Sequence, residues 1–351
     1  IRPLRAIARN TQTLKSKLTL FQSPNAYQSA YQQATGTRFG ADAIYQGENR
    51  GFGAILSYYV KIEEMKNDSS NVKDKSKRKK KDKKEVATQL QDKNEVEKTK
   101  WDSITMNIYD GDRLIRTLKR KAPKETGIYK WTWNLNEKGI EMASRRARTR
   151  TSEPGGVTVK PGTYKVKLTF GDQSSEQNIT VKSDPRVNVS QKSIDEVYDM
   201  LKKLEGISQT VADAVKQLNE SKAIANEYSK RLSTVDKVKY KDDIKTSKEI
   251  AKEIDDVIAI YLGKEDKRQG ITRNLEVNVM QRLRGAASYV SSRQNGITST
   301  EITLVQNAKD AVNSALEKTN TFFNDNWKPY QTKMETLNIS PFKDTKSFKL
   351  N

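Results

Sequence analysis

The groups in this chain whose type and spacing could do chemistry are two basic clusters and a few paired carboxylates. From Lys73 to Lys84 the sequence reads KDKSKRKKKDKK, nine basic residues and two aspartates, a net +7 in twelve positions. A second cluster is Arg145, Arg146, Arg148 and Arg150. Cationic runs of this kind attract polyanions by direct charge pairing. The candidate polyanion-binding residues are therefore Lys77, Arg78, Lys79, Lys80, Lys81, Lys83, Lys84 and the four arginines. An acidic polysaccharide or an acidic protein suits them better than nucleic acid. The run has no aromatic residue on which bases could stack, and no nucleic-acid reading motif surrounds it. The alternative use of the run is a solvated loop that keeps the protein soluble.

The carboxylates offer less. Asp242/Asp243 and Asp255/Asp256 are adjacent on expected helices, so their side chains point in different directions and cannot flank one scissile bond. Asp110-Gly111-Asp112 begins like a calcium loop, lacks the rest of an EF-hand pattern, and reads as a tight hairpin turn. The 351 residues include no histidine and no cysteine. That excludes an imidazole base, a thiolate nucleophile, zinc or haem ligation by Cys or His, and any disulfide. No convincing cluster of Asp, Glu, Lys, Ser or Tyr takes their place. The chain is read as not an enzyme, with no cofactor and no metal site.

The elements that must hold these groups are set by composition and period. The chain carries 65 Lys+Arg against 44 Asp+Glu, a formal charge of +21, with 34% hydrophobic residues. No stretch approaches 18 uninterrupted apolar residues, so no transmembrane segment is expected. The chain begins at Ile1 with no apolar signal core, which suggests a fragment or processed product. Residues 1–52 are interrupted by Pro3, Pro24 and several glycines and read as an irregular lead-in that packs on an upstream or partner domain. Residues 53–183 alternate in strand fashion, and residues 62–100 form a polar, basic insertion between strand partners. Gly53–Val60, Ser103–Tyr109, Arg113–Leu118, Ile128–Asn134, Thr163–Phe170 and Ser175–Val181 are the expected strands. Among Tyr129, Trp131 and Trp133, one or two should anchor the core. Short strands at this spacing suggest a sandwich of immunoglobulin type.

Residues 184–190, with Pro185, read as a linker. From 191 to 338 the apolar period becomes helical. One helix runs from Ile194 to Leu218, with Ser193 as its cap and Glu196 three residues on. A second runs Lys241–Leu262 and stops at Gly263. A third covers Asn274–Arg293. A fourth starts at Thr298 or Ser299, runs through Ile302, Val305, Ala308, Val312 and Thr319, and kinks at Pro329. Residues 339–351 form a tail. The fold class expected is thus α+β and multidomain: an antiparallel, immunoglobulin-like β-sandwich followed by an antiparallel four-helix bundle or long helical hairpin. Trp327, Tyr330 and Phe342, near the end, are candidate partner-binding residues.

The order of the pieces carries a resemblance. Arg2-Pro3-Leu4, Leu20-Phe21, Gly53-Ala54 leading to Tyr58-Tyr59, Trp131-Thr-Trp133-Asn134-Leu135, Pro161-Gly162-Thr163-Tyr164, Asp184-Pro185-Arg186 and a four-helix tail occur in sequence. This resembles the C-terminal region of bacterial sortilin-type proteins of Bacteroidota, whose N-terminal part is a β-propeller of BNR-like repeats. The β part also resembles the immunoglobulin-like domain of flagellar hook-cap proteins. The chain departs from the family at Glu48–Phe52, at Thr298-Ser299-Thr300 and in its long basic insertion. The resemblance implies an exported protein of the periplasm, outer-membrane surface or extracellular space. It implies an upstream β-propeller, on the same or another chain, as partner, and other envelope proteins as possible company. The function expected is a non-catalytic scaffold or protein-interaction module within a larger envelope assembly. The alternatives are a basic polyanion-binding module, or the accessory part of a glycosidase-like hydrolase whose active site lies in a propeller outside this chain.

Overall fold

The computed structural model describes residues 2–29, 51–62, 102–146, 152–265 and 276–337. The described chain is α+β. It divides into two compact units, each assembled from several stretches of sequence. The first comprises Ile1–Pro24, Ala54–Trp133 and Tyr164–Ile179, and the second Asn25–Gly53, Asn134–Thr163 and Thr180–Asn351.

The first unit opens with helix α1 (Arg2–Arg9), a 3₁₀ turn (Thr11–Leu14) and strand β1 (Leu18–Leu20). The lead-in expected to be irregular therefore contains regular structure. β1 pairs antiparallel with β3 (Ala54–Val60), and Leu18, Leu20 and Phe21 are buried. A three-residue strand is too short to show a period, which is why sequence reading passes over it. Strand β2 (Ala26–Tyr27) belongs to the second unit. Next come β4 (Ser103–Asp110), β5 (Arg113–Lys121) and β6 (Gly127–Trp133). Two further short strands, β7 (Asn136–Lys138) and β8 (Gly155–Thr158), precede β9 (Gly162–Phe170) and β10 (Gln173–Lys182).

The strands form a three-stranded sheet in the order β1-β3-β6, a curled five-stranded sheet in the order β2-β10-β9-β4-β5, and the β7-β8 pair. β3 and β4 thus lie in different sheets, and the long segment between them does not join strand partners as expected. Alternation explains the burial. Ile104, Met106 and Ile108 on β4 and Val166 and Leu168 on β9 are wholly enclosed. The polar residues between them are only partly covered. Trp133 is the buried aromatic anchor, edge-on to Tyr164 with ring centroids 5.5 Å apart. Gly111 (φ 59°) and Gly171 (φ 60°) turn the β4-β5 and β9-β10 hairpins in a backbone region that disfavours side chains.

The second unit is mainly helical. Helix α2 (Gln191–Val235) is followed by α3 (Lys241–Leu262), α4 (Val279–Ser291), α5 (Ser299–Phe322), a π-helical turn (Phe323–Trp327) and α6 (Lys328–Thr336). Ser190, not Ser193, caps α2 by accepting the Ser193 N–H. Glu196 instead takes the Ile297 N–H at 3.4 Å and pairs with Lys192. Gly263 ends α3 as expected. α2 extends well beyond Leu218 because its buried seam continues in small residues, Ala225 and Ser229, before reaching Leu232.

That seam has coiled-coil spacing. Leu204, Ser208, Val211, Val215, Leu218, Lys222, Ala225, Ser229 and Leu232 are separated by alternating steps of four and three. All but Lys222 are buried, and Lys222 is neutralised by Asp255 on α3 at 2.6 and 2.7 Å. α3 answers with Ile244, Ser247, Ala251, Ile254, Ile258 and Tyr261 at the same spacing, all buried. Two buried hydrogen bonds fix its other contacts: Tyr261 with Thr319 of α5 at 2.7 Å, and Tyr330 of α6 donating to Ser247 at 3.0 Å. Ile302, expected in the α5 stripe, is 55% exposed; the buried line starts one residue earlier, at Glu301, and runs through Ala308, Val312, Ala315 and Thr319 to Phe322.

Candidate functional site

Lys77, Arg78, Lys79, Lys80, Lys81, Lys83, Lys84, Arg148, Arg150 and Phe342 lie outside the described residues. Of the arginine cluster, Arg145 and Arg146 remain. The Arg145 guanidinium donates to the Gly263 carbonyl, just past the last turn of α3. A cation there satisfies a carbonyl that the helix leaves open and faces the negative end of its dipole. Arg145 thus has an internal task, while Arg146 is exposed. The expected polyanion site is not assembled by these two residues.

The paired aspartates part company, as adjacency on a helix requires. Asp243 binds Lys333 of α6 at 2.7 Å, and Asp255 binds Lys222. Asp110 pairs with Arg113 across the β4-β5 turn at 3.2 Å. Among the described residues no group of three or more acidic side chains is gathered to hold a metal ion.

A polar cluster lies where β7 and β8 meet α2. Buried Glu137 accepts the Tyr198 hydroxyl at 2.6 Å and the Lys202 ammonium at 3.4 Å. Lys202 also binds Glu205. Burial alone would lower the pKa of Lys202, but the two carboxylates outweigh that desolvation and hold the ammonium above its ordinary value. Lys160 adds an ion pair to Asp195 at 2.9 Å and lies 4.9 Å from the Tyr198 ring centroid. Each charge here is answered by a neighbour, so the cluster works as a latch between hairpin and helix. The glycines beneath it allow the close approach. A Cβ on Gly156 would sit 2.7 Å from the Lys138 carbonyl and 2.8 Å from a Glu205 carboxylate oxygen, and one on Gly139 would overlap the Gly155 carbonyl.

The remaining candidates, Trp327 and Tyr330, do come together, with centroids 5.4 Å apart. They border a surface cavity of about 350 Å³ between α2 and α6, lined also by Glu220, Ser221, Ile224, Tyr228 and Glu335. A second cavity of about 430 Å³, between α2 and α5, is lined by amides and threonines together with Ala214, Leu316 and Phe323. Gln217 borders both. Tyr330 is itself a core residue, 4% exposed, whereas Trp327 is only partly covered. The π-helical turn sets this arrangement. The Lys328 N–H reaches back five residues to the Phe323 carbonyl. Phe323 and Trp327, four residues apart at the ends of this turn, meet edge-on with centroids 6.4 Å apart beside the two cavities. Such turns are uncommon and are concentrated at functional sites.

Sequence reading missed the α2 side of the groove. Its signal was a second three-four stripe beside the core seam: Thr210, Ala214, Gln217, Ser221, Ile224 and Tyr228. Ile224 is 45% exposed, in keeping with a position that no element among the described residues covers fully.

Compared with known proteins, the chain matches no family model, no curated protein and no solved structure. No helix among the described residues is long and apolar enough to cross a membrane.

Proposed function

We propose that this chain is a non-catalytic scaffold and protein-interaction module, and that the groove between α2 and α6 is where it meets a partner. The observation that carries this reading is the groove itself. Partly exposed Trp327 and exposed Ile224 border one concave surface, set by a π-helical turn and backed by a firmly packed core. Aromatic anchors in a preformed hollow are the usual energetic centre of protein interfaces. The lack of histidine and cysteine, and the mutual neutralisation of charges in the latch of Glu137, Lys202 and Glu205, support a binding role over a catalytic one.

In finer detail, we read the β1-β3-β6 sheet and the larger sheet as the two layers of an immunoglobulin-like sandwich, and helices α2 to α6 as an antiparallel bundle. The order of motifs supports placing the chain in the C-terminal region of an exported, sortilin-type β-propeller protein, with an envelope assembly as its setting. The test is purification of the tagged protein from its native envelope, beside an Ile224→Glu/Trp327→Ala variant whose melting temperature is unchanged. The expected result is a defined partner recovered in stoichiometric amount with the native chain and lost with the variant. Recovery of the same proteins with both, or turnover of a substrate by the isolated chain, overturns the proposal.

A further inference from the structure

The chemistry of the same groove points to what the partner brings. The chain carries a formal +21, yet among the described residues the cavity is lined by two carboxylates, Glu220 and Glu335, and by no lysine or arginine. Glu335 accepts a hydrogen bond from the Gln331 amide at 2.8 Å, which orients it without neutralising it. Glu220 is 3.9 Å from Lys216 one helical turn back, a solvent-exposed pair that holds it weakly. The rings of Tyr228 and Trp327 border the same hollow. Partly exposed aromatic faces with carboxylates beside them attract organic cations by ring electrostatics and by charge-assisted hydrogen bonds. Among these, a guanidinium fits best. It is flat enough to stack on an indole, weakly hydrated, and forked to bind a carboxylate through two N–H groups. The cavity, at about 350 Å³, is of the size used for small-ligand groups.

We propose that the α2–α6 groove receives an arginine side chain from a partner polypeptide, stacked against Trp327 and paired with Glu220 and Glu335. This rests on the groove being the interaction surface of the scaffold, and it adds the chemistry that selects the partner. The long-range field of a strongly basic chain repels cations. Uptake of one at this position would therefore report local design and not general adsorption.

The experiment uses the full chain and two blocked tripeptides, acetyl-Gly-Arg-Gly-amide and its citrulline counterpart, the same shape without the charge. The readout is the Trp327 indole N–H resonance, identified by its loss in Trp327→Phe. The arginine peptide should shift that resonance saturably, with the citrulline peptide about tenfold weaker or more. Glu220→Gln/Glu335→Gln, both changes at the surface, should weaken the arginine peptide about five- to tenfold and leave the citrulline peptide unchanged. Equal shifts by the two peptides overturn the cation proposal while leaving the groove as a contact surface. No shift by either, with partner capture still dependent on Trp327, overturns the cation proposal alone. No shift together with indifferent capture overturns both readings.

Discussion

Glu301 shows how one side chain can join two helices. Its carboxylate is buried, accepts the Thr298 N–H at 3.0 Å and hydroxyl at 2.6 Å, and pairs with Arg293 at 2.7 Å. It therefore caps α5 while tying it to the residues just past α4. The Arg293 hydrogen bond, then those from Thr298, lower its pKa from 4.5 to about 2. A depressed carboxylate stabilises the fold fully above the unfolded value and loses that contribution as pH falls through the folded one. The expected outcome is a stability loss between about pH 4.5 and pH 2. Glu301→Gln should reduce that loss and lower stability at pH 7, where Arg293 would lack its counter-ion; denaturant titrations of both proteins at several pH values measure it. Gly139 makes a steric case of the same kind. A methyl group there meets the Gly155 backbone, so Gly139→Ala should destabilise by about 1–3 kcal/mol. An unchanged urea midpoint would refute that close approach.

At the scale of elements, α2 is the organiser, and its two stripes differ in how visible they are. The start and stop of α3, the strands around Ile104 and Trp133, and the switch from strand to helix near 190 were legible because bulky apolar residues mark their period. The far half of α2 was not, since Ser221, Ala225 and Ser229 pack by being small and carry little hydropathic signal. β1, β7 and β8 escaped because strands of three or four residues have no period to read. The groove was half legible: Trp327 and Tyr330 stand out by type, whereas Ile224 matters only because of the stripe it continues. Gly206 belongs here as well. It lies inside α2 with nothing within 4 Å of an added Cβ, so no packing demands a glycine. Gly206→Ala should raise stability by about 0.5–1 kcal/mol through helix propensity, read as a higher urea midpoint with an unchanged slope.

At the scale of the molecule, the division into units cuts across the order of the sequence. Along the chain, residues 184–190 stand between strands and helices, but the second unit also claims Asn134–Thr163. Glu137, Ser144, Gly156 and Lys160 in that stretch bond or closely approach α2 through Tyr198, Lys202, Glu205, Asn219 and Asp195. Val159 in turn accepts the Gln28 amide at 2.5 Å, so a third stretch of the chain is tied to the same hairpin. The helices are thus not an appendage that could be severed at the proline without loss. A fragment comprising residues 184–337 would keep the α2–α3 seam and its Tyr261 and Ser247 contacts, and should remain helical by circular dichroism. It would expose the α2 surface that Glu137 and Lys160 cover. Hydrogen exchange should therefore accelerate through residues 195–206 of the fragment and remain close to that of the full chain from Ile250 to Tyr261. Equal protection of both stretches in fragment and full chain would show that the hairpin latch contributes nothing to α2. Uniform loss of protection would show that the seam itself depends on it.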